Sequence, residues 1–459
     1  MFNNLDGLDF TGNTKAGMQT IQYMGSKAKL VDFIENAMDW YFGNVVHDTN
    51  VRTFFDAFSG SGRVAYHFHD RFKVITNDKQ TFTKVICDAY MCNQSSPAFY
   101  KPFIDALNSI KASDYESLRY EGLVDGFFVD NYSTDYNNGS AVGDDGFNKI
   151  WITDNAKIIE IARNLIDCWF DEGKLDDIQK NVLLLTLMLA VSKVSNIVGH
   201  QNGYLKNWSS NTKKDIVFIL PELDTHHTFN HENMTGDVFE NGKVSCDIAY
   251  FDPPYGTNNV KMSASVRYSS FYHLWNTLVE NSRPELFGKT MKPVNTKGYT
   301  EPLERNHKED VIPKFIRLIE NTKAKYVMFS YSNKSLLTVD DFRFVFEQAG
   351  CDMKTFRLFV KGHAMNSQNV IARKDGNTIE RENDEDDLVE YVFMARKKAR
   401  HIRVTNPNIN DARNDNEVIQ VIENYLDGDN STYTVPQAPY VIHDDQIVPV
   451  DFTSFTKAA

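Results

Sequence analysis

Cysteine is scarce in this chain of 459 residues. The five present, Cys87, Cys92, Cys168, Cys246 and Cys351, are odd in number and scattered, with no C-x-x-C spacing. That argues against a disulfide framework or a structural zinc site and fits a reducing cytoplasm. Long apolar runs are also missing. The longest, residues 182–191 (VLLLTLMLAV), is half of the ~20 residues a membrane span needs, and it reads as a buried helix. The opening MFNNLDGLDFTGNTK has no basic n-region and no apolar core, so no secretory signal is expected. Positive charge is in deficit, with 49 Lys and Arg against 62 Asp and Glu. A net charge of −13 weighs against phosphate-binding partners, which need Lys and Arg.

The distribution of charge qualifies that sum. Residues 404–459 hold nine acids and two basic residues, and 380–390 (ERENDEDDLVE) is a second acidic block. Residues 286–325 carry nine basic residues against five acids, and 354–375 five against one. A local basic face on an acidic protein is therefore expected. Hydrophobic residues at 42% and charged residues at 24% are an ordinary globular balance. They exclude a disordered or collagen-like chain and allow two to four structural units at ~150 residues each.

Strand and helix patterns alternate at both ends of the chain. Residues 51–57 and 72–77 predict strands, with helices over 63–70 and 81–91. This β-α-β-α opening points to a doubly wound α/β sheet. Over 93–231 helical periodicity dominates, around 103–107, 157–170 and 178–198. The Gly/Asn/Asp-rich stretch 130–148 reads as a mobile surface loop. Strand patterns return at 248–252, 326–330, 354–361 and 390–395. No internal repeat is visible.

Three segments carry chemistry. In Asp56-Ala57-Phe58-Ser59-Gly60-Ser61-Gly62 a strand ends in a glycine-rich turn before a helix. Such a turn lets backbone approach a ligand, or is simply a tight βα turn. Asp78 ends the next strand, where an acid can accept bonds from two ribose hydroxyls or cap a helix. Asp252-Pro253-Pro254-Tyr255-Gly256 follows the apolar DIAYF. Two prolines stiffen it and remove two donors, leaving a carboxylate, carbonyls and a ring, a set suited to a planar amine such as that of adenine or cytosine.

Taken together with Tyr23-Met24-Gly25-Ser26-Lys27, these segments resemble the D12 class of adenine-N6 DNA methyltransferases, the Dam-like group that uses S-adenosylmethionine. The order matches: lysine segment, glycine motif, target-recognition insertion, catalytic tetrapeptide. The segments 235–240 (TGDVFE) and 199–208 (GHQNGYLKNW) are also similar. The resemblance spans residues 20–397. It implies a mixed, seven-stranded Rossmann-like sheet with a largely helical insertion, the last two strands being joined by a long loop. The implied units are 20–92 and 232–397 as the two halves of the methyltransferase domain, 93–231 as target recognition, and 398–459 as an acidic extension.

Residue by residue, the resemblance implies that Tyr23 and Lys27 meet the cofactor's methionine end, with Lys27 pairing its carboxylate. Asp56, Phe58, Gly60 and Gly62 would wrap the cofactor. Asp78 would hold the ribose, and Asp237 and Val238 the adenine ring. Asp252 and the Pro253 carbonyl, in the turn completed by Pro254, would hold the target amine while Tyr255 stacks on the flipped base. No metal is expected. Tyr23 stands where many relatives have Trp. Double-stranded DNA is the implied partner, with a restriction endonuclease plausible beside it. An RNA substrate, cytosine N4, or a silent DNA-binding relative are the competing readings. Asp252 favours adenine, since many cytosine-N4 enzymes of this type carry Ser there.

Sequence reading by the protein is expected in 93–231, helped by the loop 256–314. Lys206, Lys213, Lys214, Arg267, Lys289, Lys292 and Lys297 lie in these segments, and Trp208 among the first three reads either as part of a DNA-backbone contact or as a core Trp under a solvated face. The acidic tail beyond 404 is expected to lie away from DNA. His226, His227 and His231 cluster, but Pro221, Thr225 and Asn230 suggest a loop without a metal. Residues 271–275 (FYHLW) read as helix core.

Overall fold

Alternation in the strands explains the architecture. Phe54, Ile248, Tyr250, Tyr326 and Met328 enter one core, and their neighbours Phe55, Ala249, Phe251, Val327 and Phe329 enter a second. Successive side chains of a strand point to opposite faces, so a sheet with helices on both sides results. The computed structural model describes residues 17–136, 139–257, 267–298, 301–363, 370–372, 378–380, 388–398, 440–443 and 446–449.

Among these, nine strands form the main sheet: β1 (Thr53–Asp56), β2 (Lys73–Asp78), β3 (Glu232–Thr235), β4 (Ser245–Phe251), β5 (Lys323–Ser332), β6 (Cys351–His363), β7 (Leu388–Lys397), β8 (Tyr440–His443) and β9 (Gln446–Pro449). Their order is β9-β8-β6-β7-β5-β4-β1-β2-β3. The five strands from β3 to β5 in that order are mutually parallel. Strand β7 runs antiparallel to both β5 and β6. Strands β1 to β7 make the mixed, seven-stranded, Rossmann-like sheet expected. Strands β8 and β9 extend its β6 edge, drawn from the segment expected as a plain acidic extension. Apart from that pair, residues 399–459 lie outside the described residues.

The helices Lys308–Asn321 and Val339–Gln348 cover one face. The helices Val31–Tyr41, Arg63–Phe68 and Thr81–Met91 cover the other, with the helices Thr153–Asp171 and Asp177–Val194 of the 93–231 segment in the same core. The apolar run 182–191 is buried throughout, in a helix started by a reciprocal capping box between Asp176 and Gln179. These two long helices thus share the sheet's core and do not build a lobe of their own. Among the described residues no helix is long and apolar enough to cross a membrane.

Two local expectations change, and one strand was not expected. Strand β3 (ENMT) has no apolar pattern, because it is an edge strand with no fully buried side chain. The helix expected to reach residue 198 ends at Val194, where Ser195 turns extended. The 130–148 stretch, read as a mobile loop, pairs Ser133–Thr134 with Trp151–Ile152 and buries Ala141.

Candidate functional site

Four acidic residues gather at the carboxyl edge of the parallel strands. Asp56 ends β1 and Asp78 ends β2. Asp252 follows β4, and Asp237 stands two residues beyond β3. In open α/β sheets ligands bind at this edge. A cleft of about 290 Å³ opens there. Its lining includes Tyr23, Lys27, Asp56, Phe58, Gly60, Asp78, Asp237, Val238 and the whole Asp252-Pro253-Pro254-Tyr255 turn.

The glycine turn is fixed by backbone and by Asp78 together. Gly60 has φ +50° and its N–H donates to Asp78 Oδ2 at 2.9 Å. Asp78 Oδ1 accepts from the Gln80 N–H at 2.9 Å. A Cβ on Gly60 would stand 2.9 Å from Tyr23 Cε1, so the turn and the tyrosine ring are packed against each other. That ring stacks on Tyr272 with centroids 4.7 Å apart, and Tyr268 lies 5.6 Å away. Gly62 does not line the cleft. It precedes the helix Arg63–Phe68 at φ +74°, where a Cβ would meet Met18 and Cys87, so its freedom serves packing beneath the turn. Asp237 caps the short helix Val238–Asn241 by accepting from the Phe239 N–H at 2.8 Å.

Around Asp252 the charges are paired closely. Lys27 Nζ lies 2.8 Å from Asp252 Oδ2 and donates to the Gly25 carbonyl at 3.0 Å. It also stands 4.8 Å from the centroid of the Tyr255 ring. The cationic end of Lys27 therefore reaches the tetrapeptide's carboxylate. The Tyr255 carbonyl accepts from Tyr331 Oη and from the Leu336 N–H, which fixes the turn from below. Gly256 has φ +65° with Leu336 and Asn306 close against it.

Burial makes the site acid-rich yet proton-hungry. Asp56, 1% exposed, is pushed up to about 8 by burial and then by Asp252. Burial raises Asp78 to about 6, against bonds from Gln80 and Gly60 that favour its charged form. Asp252 is raised by burial and drawn back by Lys27.

The proposed DNA-facing residues sit elsewhere. Lys206, Lys213 and Lys214 are exposed, with Lys213 Nζ 4.9 Å from the Tyr136 ring centroid. Trp208 is buried, which removes it as a stacking surface for nucleic acid. Arg267 is half-buried, just after residues 258–266, which lie outside the described residues. The histidines follow an extended path. His226 is exposed, whereas His227 and His231 meet His69 with ring centroids about 6 Å apart. His231 Nδ1 accepts from the Val74 N–H, so its Nε2 carries the proton, a state unsuited to ligating a metal through that atom. Tyr272, His273, Leu274 and Trp275 are core residues, as expected.

Sequence reasoning missed Tyr268, Glu301, Glu304 and Glu390. The first three line the cleft, and Glu304, raised to about 7 by burial, accepts from the Tyr268 N–H at 2.8 Å. Glu390 Oε2 receives the Tyr255 hydroxyl at 3.4 Å. None has a local motif; each reaches the site through tertiary folding.

Comparison with known proteins matches residues 23–345 to the family described as D12 class N6 adenine-specific DNA methyltransferase. Among curated relatives, "Modification methylase LlaI" of Lactococcus lactis subsp. lactis is 29% identical over 327 residues, covering 70% of this chain and 47% of that protein. "Type II methyltransferase M.FokI" of Planomicrobium okeanokoites is 28% identical, covering 74% and 48%. "Type II methyltransferase M.NlaIII" of Neisseria lactamica is 27% identical, covering 72% and 89%. The chain thus spans about half the length of the first two and most of the third.

Proposed function

The chain belongs to the D12 class of N6 adenine-specific DNA methyltransferases, and from that premise we propose that it methylates the N6 amine of an adenine in a specific double-stranded DNA sequence, as the modification half of a restriction-modification system. The observation that carries this reading is the Asp252 carboxylate, held by Lys27 at 2.8 Å and facing the same cleft as the glycine turn and Asp78.

The class depends on S-adenosylmethionine, whose sulfonium supplies an already activated methyl group. The residues present fit such a cofactor. A cleft lined by Asp78 and Asp237 suits a cation, and the glycine-rich turn brings backbone to its lining. In this reading Asp78 orients the ribose and Asp237 with Val238 the adenine. Tyr23 and Lys27 bound the methionine end.

The target base must leave the duplex, which costs a few kcal/mol. Stacking on Tyr255 returns about 1–3 kcal/mol. Asp252 and the Pro253 carbonyl accept hydrogen bonds from the two N6 hydrogens, which localises the nitrogen lone pair and aims it at the methyl carbon. Asp252 would accept the proton that the amine gives up as its N–C bond forms and the sulfonium's S–C bond breaks, the electron pair returning to sulfur.

Sequence reading is assigned to 93–231 and the loop after Gly256, with Lys206, Lys213, Lys214 and Arg267 contacting phosphates. A cognate endonuclease and a cytoplasmic site of action follow from the same proposal. The test is transfer of labelled methyl groups to duplex DNA and to transcript, followed by mapping of modified bases. N6-methyladenine at one recurring duplex site is expected. Methylated RNA, N4-methylcytosine or no transfer would each refute it.

A further inference from the structure

Glu390 is a buried acid that the reaction as described does not use. It sits near the start of β7, the reversed strand, opposite Ser332 of β5 and Lys361 of β6. It is 8% exposed. Its Oε2 accepts from the Tyr255 hydroxyl at 3.4 Å. With Lys27, Phe33 and Ser330 it also borders a small recess behind the cleft. Lys27 links it electrostatically to Asp252, and the Tyr255 ring lies under the same ammonium. An acid without a role should not remain there, since burying a carboxylate is costly unless it is paired or bonded.

We propose that Glu390 is a positioning residue for methyl transfer: it anchors the Tyr255 hydroxyl, so that the ring receiving the extruded base is held at a fixed tilt beside Asp252. The inference rests on the methyltransferase reading. Its logic is geometric. Tyr255 is fixed at its carbonyl by Tyr331 and at its hydroxyl by Glu390, with Asp252 a second partner of that hydroxyl, so backbone and ring tip are both tied. A stacking platform held at both ends loses little freedom when a base arrives. Without the outer tie, the ring can still stack but samples more orientations.

The groups facing Glu390 are Lys27 from the N-terminal segment, Tyr250 from β4, Asp252 and Tyr255 from the turn after β4, and Lys361, opposite it on β6. Burial, and then Asp252, raise the carboxyl to about 7, while Lys27 and the Tyr255 bond pull the other way. The ionised form is the better acceptor for the tyrosine, so the tie weakens as pH falls through about 7.

The experiment is a double-mutant cycle on single-turnover methylation of duplex DNA with Glu390→Gln, Tyr255→Phe and the double variant. Cofactor affinity is measured by calorimetry as a check on folding. Glu390→Gln should slow the chemical step about tenfold, the scale of one lost charge-assisted bond, with cofactor affinity unchanged. In the Tyr255→Phe background the same substitution should have almost no further effect. The ratio of wild-type to Glu390→Gln rates should fall as pH drops through 7. Equal slowing by Glu390→Gln in both backgrounds, or a pH-independent ratio, overturns the inference while leaving the methyltransferase reading standing. A wild-type chain that transfers no methyl group overturns that reading, and the inference with it.

Discussion

Removing Asp252 should cost stability as well as activity. The pair it forms with Lys27 is enclosed, with side chains 14% and 6% exposed and 2.8 Å between charged atoms. Asp252→Ala leaves an ammonium beside the Tyr255 ring, bordering a recess it shares with Glu390. Stripping one partner from a buried pair costs about 3–5 kcal/mol, most of it the stranded charge. Glu390 offers a substitute counter-charge, so the lower end, about 3 kcal/mol, is expected. Lys27→Met on top of Asp252→Ala removes the stranded charge and should restore about 2 kcal/mol, although neither protein turns over. Urea unfolding followed by circular dichroism measures all four members of the cycle, with the slope checked for constancy. If Asp252→Ala loses under about 1 kcal/mol, or the second substitution deepens the loss, Lys27 and Asp252 are not paired as described. A corollary is practical: Asp252→Asn, which keeps shape and an acceptor oxygen, is the cleaner probe of chemistry.

Asp78→Ala should weaken cofactor binding in calorimetry and loosen the Gly60 turn, because one carboxylate holds that N–H and faces the cleft; unchanged affinity would remove Asp78 from the ribose role. Gly60→Ala should be worse than its size suggests. The left-handed backbone costs about 1–2 kcal/mol for an L residue, and the new Cβ meets Tyr23 at 2.9 Å, so a thermal melt matching wild type would refute the packing. Asp56, Asp78, Glu304 and Glu390 have folded values of about 8, 6, 7 and 7, all raised from an unfolded value near 4. Groups raised on folding add stability that is fully present below about pH 4 and lost progressively from there as pH rises to their folded values of about 6 to 8. Their share of the unfolding free energy should therefore decline over that window, and the stabilisation conferred by a cationic cofactor should grow; a flat pH dependence would contradict the burial of these acids. Replacing Lys213 and Lys214 by Ala should weaken all DNA sequences alike and lower the salt slope by about 1 per phosphate contact.

The sheet was legible because β1, β2, β4, β5, β6 and β7 each carry a run of apolar or β-branched residues bounded by turns. Strand β3 was not, since an edge strand of Glu, Asn, Met and Thr gains its pairing from β2 and not from burial. The site was readable where chemistry is local. Gly60 needs a positive φ, and prolines at 253 and 254 constrain the turn around Asp252 from within the sequence itself. Trp208 shows the limit: an aromatic among lysines reads equally as a nucleic-acid contact or a core residue, and only packing decides for the core. Glu390 shows the converse. It closes the acidic block 380–390 and opens the strand expected over 390–395, and only the reversal of β7 delivers it to Tyr255.

The position of β1 between β2 and β4 has a consequence in time. Phe54 pairs with both Val74 and Ile248, so the second pairing closes a loop of nearly 200 residues. During synthesis at about 5–20 residues per second, the glycine turn and Asp78 emerge roughly 10–40 s before Asp252. Through that interval the nascent chain has one wall of the cleft and no other. The first half must wait with its β1 edge unpaired, and such an exposed strand edge is a template for the wrong partner. Slowed elongation between residues 93 and 231 should therefore lower the yield of folded protein more than the same delay placed after residue 332.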